Sequence, residues 1–151
     1  MTLEEYIEYR TGTKEVSKIV RNMLLKPFMA SSLRSFWNYW NPGYGYFLLY
    51  YCYKPLRSLL PDGLSLLITF IICGILHDVI YIIPMMIQNN GNIPIPFVTV
   101  WFVLIGVGIL ITDYFRINFN RIRPIVRPLL HLGFLGSTFY ATRCIDLIIW
   151  N

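Results

Sequence analysis

From Gly63 to Ile87 the chain runs for 25 residues with only two side chains that ordinarily carry charge or titrate near neutrality, His77 and Asp78. This stretch constrains the fold more than any other. A bilayer's hydrocarbon core takes about 20 helical residues to cross, and 25 residues of helix reach about 37 Å. Fourteen of them are Leu, Ile, Val or Phe, which together favour insertion by roughly 4–8 kcal/mol, against about 3 kcal/mol for Asp78 near the centre. Insertion wins, with a penalty that a purely structural span would not carry. Composition agrees: 56% of the 151 residues are hydrophobic and 14% are charged, against about 25% charged in a soluble domain. A soluble domain of this size leaves too much surface wet to hide so much apolar area. The expected fold class is all-α: a multi-pass membrane helical bundle with an N-terminal interfacial amphipathic helix. Residues 1–30 form the cytoplasmic or interfacial segment and 31–151 the membrane domain.

From Lys14 to Phe28, Val16, Ile19, Val20, Met23, Leu24 and Phe28 recur at three- and four-residue steps, with Lys14, Lys18, Arg21 and Lys26 between them. That pattern predicts an amphipathic helix with a basic face, suited to lying in the membrane interface or packing on the bundle. Residues 31–43 interleave polar groups with Phe36, Trp37, Tyr39 and Trp40, a mixture that belongs at headgroup level. Tyr44 to Tyr53 is apolar, but Lys54 and Arg57 end it short of a span, so 44–60 reads as a shallow, re-entrant or tilted helix. After the uncharged turn at 88–92 and the prolines Pro94 and Pro96, Phe97–Asp113 forms a second span, and a third lies near Ile125–Ala141. On the third, Gly133 and Ser137 are four apart, a small-residue pattern that lets helices approach closely.

Six Lys or Arg precede Phe36, two follow Tyr53, none lie in 88–96 and four lie in 114–128. By the positive-inside rule the 88–96 turn faces outward and the N-terminus faces the cytoplasm. The membrane is a bacterial inner membrane or one of the endoplasmic-reticulum type. The net charge of +5 therefore reads as a topology signal and contact with anionic lipid. Nucleic acid is not an expected partner, since no basic patch with stacking aromatics has a soluble fold of its own. Cys52, Cys73 and Cys144 are odd in number and widely spaced, which supports neither a metal site nor a disulfide framework. The acidic start, Thr2 to Tyr6, does not read as a secretory signal.

An ionisable side chain deep in a span must face protein, water or ligand. His77 is fifteenth in its span, on a helical stripe with Phe70, Cys73, Gly74, Tyr81 and Pro84. Gly74, one turn away, leaves room for a substrate or another backbone, and Pro84 frees the carbonyl of Ile80. Asp78 points about 100° from His77. It is expected to orient the imidazole through water, to pair with Arg34 or an arginine of 114–128, or to make a hydrogen bond in helix packing.

Ser32-Leu33-Arg34-Ser35-Phe36-Trp37-Asn38-Tyr39-Trp40-Asn41, followed by Phe70-Ile71-Ile72-Cys73-Gly74-Ile75-Leu76-His77-Asp78, resembles the core of the membrane-bound O-acyltransferase (MBOAT) family. The family pairs a Ser-Leu-Arg-x-Phe-Trp segment with a later apolar helix reading Phe-x-x-Ser-Gly-x-x-His, here with Cys73 in place of the serine. The matched region, 31–80, makes the chain similar to a short or partial member. The resemblance implies transfer of an acyl group from acyl-CoA or another acyl thioester, a co-substrate rather than a cofactor, to a hydroxyl of a lipid or glycan. It implies that His77 and Asn41 are catalytic, and that Arg34, Trp37, Trp40 and Asp78 contact substrate. Within this reading a neutral imidazole suits the general base, and Asn41 suits substrate orientation or an oxyanion contact. A homo-oligomer or a partner membrane subunit would complete the enclosure around a short chain.

Two other classes stay open on sequence. A non-catalytic membrane subunit, or a degenerate relative, would keep the fold without the chemistry. His131, in the third candidate span, would allow bis-histidine ligation of a b-type haem with His77.

Overall fold

The computed structural model describes residues 1–88 and 96–150, and their side chains except those of Tyr81, Ile82, 84–88 and Trp150. The expected turn at 88–92 lies outside the described residues beyond Gln88, as do the side chains of Tyr81 and Pro84 on the His77 stripe. Everything regular among the described residues is helical.

The chain opens with two helices, α1 (Leu3–Thr11) and α2 (Val16–Phe28). Thr2 and Glu5 close a reciprocal capping box on α1, with each side chain accepting from the other's backbone N–H, worth about 1 kcal/mol. Gly12, at φ 76°, ends the helix in the left-handed conformation that costs glycine least. α2 starts two residues later than the expected Lys14. Its Asn22 and Lys26 turn inward, each 2.8–2.9 Å from the Thr11 carbonyl, while Val16, Val20 and Leu24 are exposed.

The aromatic segment folds into α3 (Leu33–Tyr39), capped by Ser32 and Ser35, and α4 (Pro42–Phe47), capped by Asn41 with Pro42 at its first turn. A π-helical stretch, Leu48–Tyr53, and α5 (Lys54–Arg57) continue from it. Together they reach about 24 Å, short of a hydrocarbon core of about 30 Å.

Three helices follow that are long and apolar enough to cross a membrane: α6 (Asp62–Gln88), α7 (Phe97–Tyr114) and α8 (Arg127–Trp150), the last entered through a 3-10 turn, Pro124–Val126. α8 runs well beyond the expected Ala141. Beyond Ala141, Arg143 and Asp146 pair with each other at 2.8 Å. The core gathers Leu33 from α3, Leu66 from α6, and Ile105 and Ile109 from α7, with Trp37, Phe70 and Phe134 packed around it.

In lipid the hydrophobic effect does little to hold one helix against another, so close packing and polar bonds must do it. α6 and α7 use both. A Cβ at Gly74 would lie 2.5 Å from the Thr99 Cα, so the space this glycine leaves is filled by the backbone of α7. One turn on, the Asp78 carboxylate, 4% exposed, accepts from the Val98 N–H (2.9 Å), the Thr99 N–H (2.7 Å) and the Thr99 hydroxyl (2.6 Å). These groups stand at the start of α7, where the helix dipole also favours a carboxylate.

Candidate functional site

A cavity of about 340 Å³ opens between α1, α3, α4, α6 and α7. His77, Asn41, Arg34, Trp37 and Trp40 all line it, although they come from segments far apart in the chain. Asp78 does not; its three bonds go to α7, not to Arg34 or the arginines of 114–128.

His77 is held on three sides. Its Nδ1 lies 2.7 Å from the Cys73 carbonyl one turn back, and Phe102 of α7 stacks on the ring at 5.4 Å. Tyr44 of α4 meets it edge-on at 5.6 Å. A carbonyl can only accept, so Nδ1 carries the proton and donates it, which in a neutral imidazole leaves Nε2 as a lone-pair acceptor. Nε2 has no hydrogen-bond partner among the described residues.

Asn41 takes a left-handed backbone conformation, φ 42°, one that asparagine tolerates better than most residues. Its Oδ1 accepts from the Tyr44 N–H at 3.2 Å. That bond caps α4, fixes the amide's orientation and leaves Nδ2 without a partner among the described residues. Through Tyr44, Asn41 is coupled to the ring that rests on His77. Trp37 packs between Phe70 of α6 and Phe102 of α7, at 5.3 and 5.8 Å, and forms a wall. Trp40 stacks on Phe36 at 5.7 Å and is more exposed.

Arg34 marks the far end. Its Nε donates to Asp113 at 2.6 Å and its Nη2 to Asp62 at 2.9 Å, so one guanidinium ties the end of α7 to the start of α6. Asp62 also accepts from the Tyr53 hydroxyl and lies 3.4 Å from Arg57. Burial pulls the Arg34 pKa down, but the bonds and charges of Asp113 and Asp62 outweigh it and raise it. Much of its hydrogen-bonding capacity is committed to structure.

Arg10, Asn38 and Tyr44 also line the cavity, and sequence reasoning did not single them out. Arg10 lies over the rings of Tyr6 and Tyr9, at 5.0 and 5.4 Å, and its buried Nε has no partner among the described residues. A buried donor without an acceptor is rare in folded proteins. The available signal was Tyr6, which is 5% exposed and lies 5.7 Å from Tyr46: an acidic, polar helix with one inward aromatic docks by that residue.

His131 lies elsewhere. It is 1% exposed, its Nε2 sits 3.1 Å from the Ala30 carbonyl, and Phe36 and Phe119 flank the ring at 5.2 and 5.4 Å. His131 does not line the cavity that holds His77, and its Nε2 is engaged by a carbonyl rather than open to a ligand.

Comparison with known proteins gives one result. The model of the MBOAT, membrane-bound O-acyltransferase family, matches residues 7–88, from the second half of α1 through the cavity-lining segments to the end of α6. No curated protein and no solved structure matches the chain. The match takes in more than half of the 151 residues and carries both sequence segments that meet at the cavity, so the chain belongs to the membrane-bound O-acyltransferase family.

Proposed function

We propose that this protein transfers an acyl group from acyl-CoA or another acyl thioester to a hydroxyl of a lipid or glycan, with His77 as general base. The observation that carries the reading is the imidazole's arrangement: Nδ1 donates to the Cys73 carbonyl and Nε2 is left unbonded at the cavity. In the reaction Nε2 takes the acceptor's hydroxyl proton as the oxygen attacks the thioester carbonyl. The C–S bond breaks, an ester forms, and the proton passes to the departing thiolate, which leaves as a thiol. The Asn41 Nδ2 donates to the oxyanion or orients the acceptor. Arg34, Trp37 and Trp40 contact substrate at the entrance. Asp78 acts on the site by holding α7 rather than by touching substrate. A largely apolar cavity limits competing hydrolysis of the thioester.

Topology follows the charges. The Phe119 N–H donates to the Ser31 carbonyl at 2.7 Å and Arg127 to the Met29 carbonyl at 3.0 Å. These contacts support placing the N-terminal segment and the arginine-rich 114–128 segment on one side, the cytoplasmic one. The exposed Val16, Val20 and Leu24 of α2 suit the interface. On α8, a Cβ at Gly133 or Gly136 would meet nothing within 4 Å, so this side is where a second copy or a partner subunit would seat.

The test is product formation by purified protein in lipid, given a radiolabelled acyl-CoA panel and membrane extract. Wild type is expected to label a lipid or glycan, and His77→Ala to lose that labelling. Equal labelling by both would remove His77 from the chemistry. Labelling by neither, with the fold intact, would favour the non-catalytic subunit.

A further inference from the structure

A second cavity, of about 430 Å³, lies between α2, α3 and the segment entering α8, and shares no lining residue with the first. Lys26 and Arg127 both line it, with Ser31, Tyr39 and Asn120, and no carboxylate does. The two cations are paired with no acidic side chain among the described residues. Backbone oxygens hold them instead. Lys26 donates to the carbonyls of Thr11 and Arg10 at 2.8 and 3.4 Å, and Arg127 to the carbonyls of Met29, Ile122 and Asn120 at 3.0, 3.3 and 3.5 Å.

Donor arithmetic shows what is left over. An ammonium has three N–H groups and a guanidinium five, so both cations keep unused donors with their positions already fixed. The hydroxyls of Ser31 and Tyr39 and the amide of Asn120 have no side-chain hydrogen bond among the described residues. Two fixed positive charges and neutral groups able to donate therefore surround a space with no anion of its own. A solvated topology signal needs no such convergence, since exposed lysines and arginines simply extend into water.

The geometry points to a binding site for a phosphate group between Lys26 and Arg127, supplied by an anionic lipid headgroup or by a soluble phosphate. A phosphate offers oxygens enough for both cations and the hydroxyls together, and basic pockets beside membrane helices take such headgroups. The site stands independently of the acyl-transfer reading. Its occupant would tie α2, α3 and the α8 entrance together.

The test uses the full chain and two phosphate sources. Native mass spectrometry counts phosphatidylglycerol retained from vesicles of phosphatidylcholine doped with it. A second arm follows thermal unfolding in phosphatidylcholine alone with added inorganic phosphate. Lys26→Gln removes one cation. Ser31→Asp leaves every carbonyl anchor in place and puts a carboxylate where the phosphate would lie, so it tests the site even if Lys26→Gln folds poorly. Lys14→Gln, a lysine with an 80% exposed side chain away from the cavity, lowers the net charge by the same amount as either variant. Each cavity variant is expected to weaken retention about fivefold, with Lys14→Gln close to wild type. Loss of lipid retention assigns the headgroup. Stabilisation by inorganic phosphate that Ser31→Asp abolishes, without lipid retention, assigns the soluble source. If Ser31→Asp and Lys14→Gln match wild type in both arms, the proposal is overturned.

Discussion

His77 and His131 both sit in apolar helices, and the regions around them are built to different ends. Around His77, α6 and α7 are pressed together at Gly74 and pinned by Asp78, yet the imidazole keeps one nitrogen open to a cavity. His131 itself is 1% exposed, on a helix whose other face is open: α8 is the least buried of the three long helices, and a Cβ at Gly133 would meet nothing within 4 Å. There the histidine closes the structure, bonding α8 to the Ala30 carbonyl between two aromatic rings. His77 keeps a ring nitrogen without a partner among the described residues, whereas His131 bonds the Ala30 carbonyl. This is the expected relation between a site that needs fixed geometry and a helix that needs an anchor.

The largest effect should come from His77→Ala. Acyl transfer is expected to fall by about 10²–10⁴-fold, the usual contribution of a general base. Thermal unfolding should move little, because the side chain's one strong bond is to a carbonyl within its own helix. A large loss of stability with activity retained would reverse the two histidines' roles.

Asp78→Asn tests the pin. The amide replaces one carboxylate oxygen with an NH₂ group that faces a donor instead of accepting from it, so about 1–3 kcal/mol of stability should be lost. Phe102, one turn beyond Thr99, stacks on His77, so kcat should fall as α7 loosens. The pH–rate profile should keep its shape, because Asp78 makes no bond to the imidazole. A shifted profile would mean that Asp78 acts on His77 directly.

Much of this comparison was legible in the sequence. The span holding His77 is visible from hydropathy alone, and residues of the Ser32–Asn41 segment line the same cavity as His77. What stayed hidden depended on tertiary partners. Asp78's partners are backbone N–H groups at the start of another helix, which no side-chain pattern marks. Arg10 lay in a helix whose polarity suggested solvent, and only the burial of Tyr6 brings it to the cavity. Gly133 and Ser137 have a spacing that lets a helix approach closely, and among the described residues nothing comes within 4 Å of where a Gly133 Cβ would lie.

His131→Ala should give the mirror image of His77→Ala. It leaves the Ala30 carbonyl without its donor and a void between Phe36 and Phe119, at a cost of about 2–3 kcal/mol. Turnover per folded molecule should stay within about threefold of wild type, a difference under 1 kcal/mol. Denaturation of the reconstituted protein, read beside acyl transfer corrected for the folded fraction, checks both. A folded but inactive His131→Ala would join the two regions into one site.

Trp101→Phe probes how independent the regions are. The Trp101 Nε1 donates to the Thr138 hydroxyl at 3.0 Å, linking α7 to α8, and its ring meets Phe139 at 5.4 Å. Phenylalanine keeps much of the aromatic contact and removes the bond. Thr138 still donates to backbone carbonyls of its own helix, so no buried donor is orphaned. The loss should be about 0.5–1 kcal/mol, as for interhelical bonds in lipid generally. Yet Trp101 neighbours Phe102, which stacks on His77. If α8 serves only as an anchor, acyl transfer survives this substitution nearly unchanged. A drop of tenfold or more would mean that α8, through Trp101, sets the position of Phe102 and so belongs to the catalytic region.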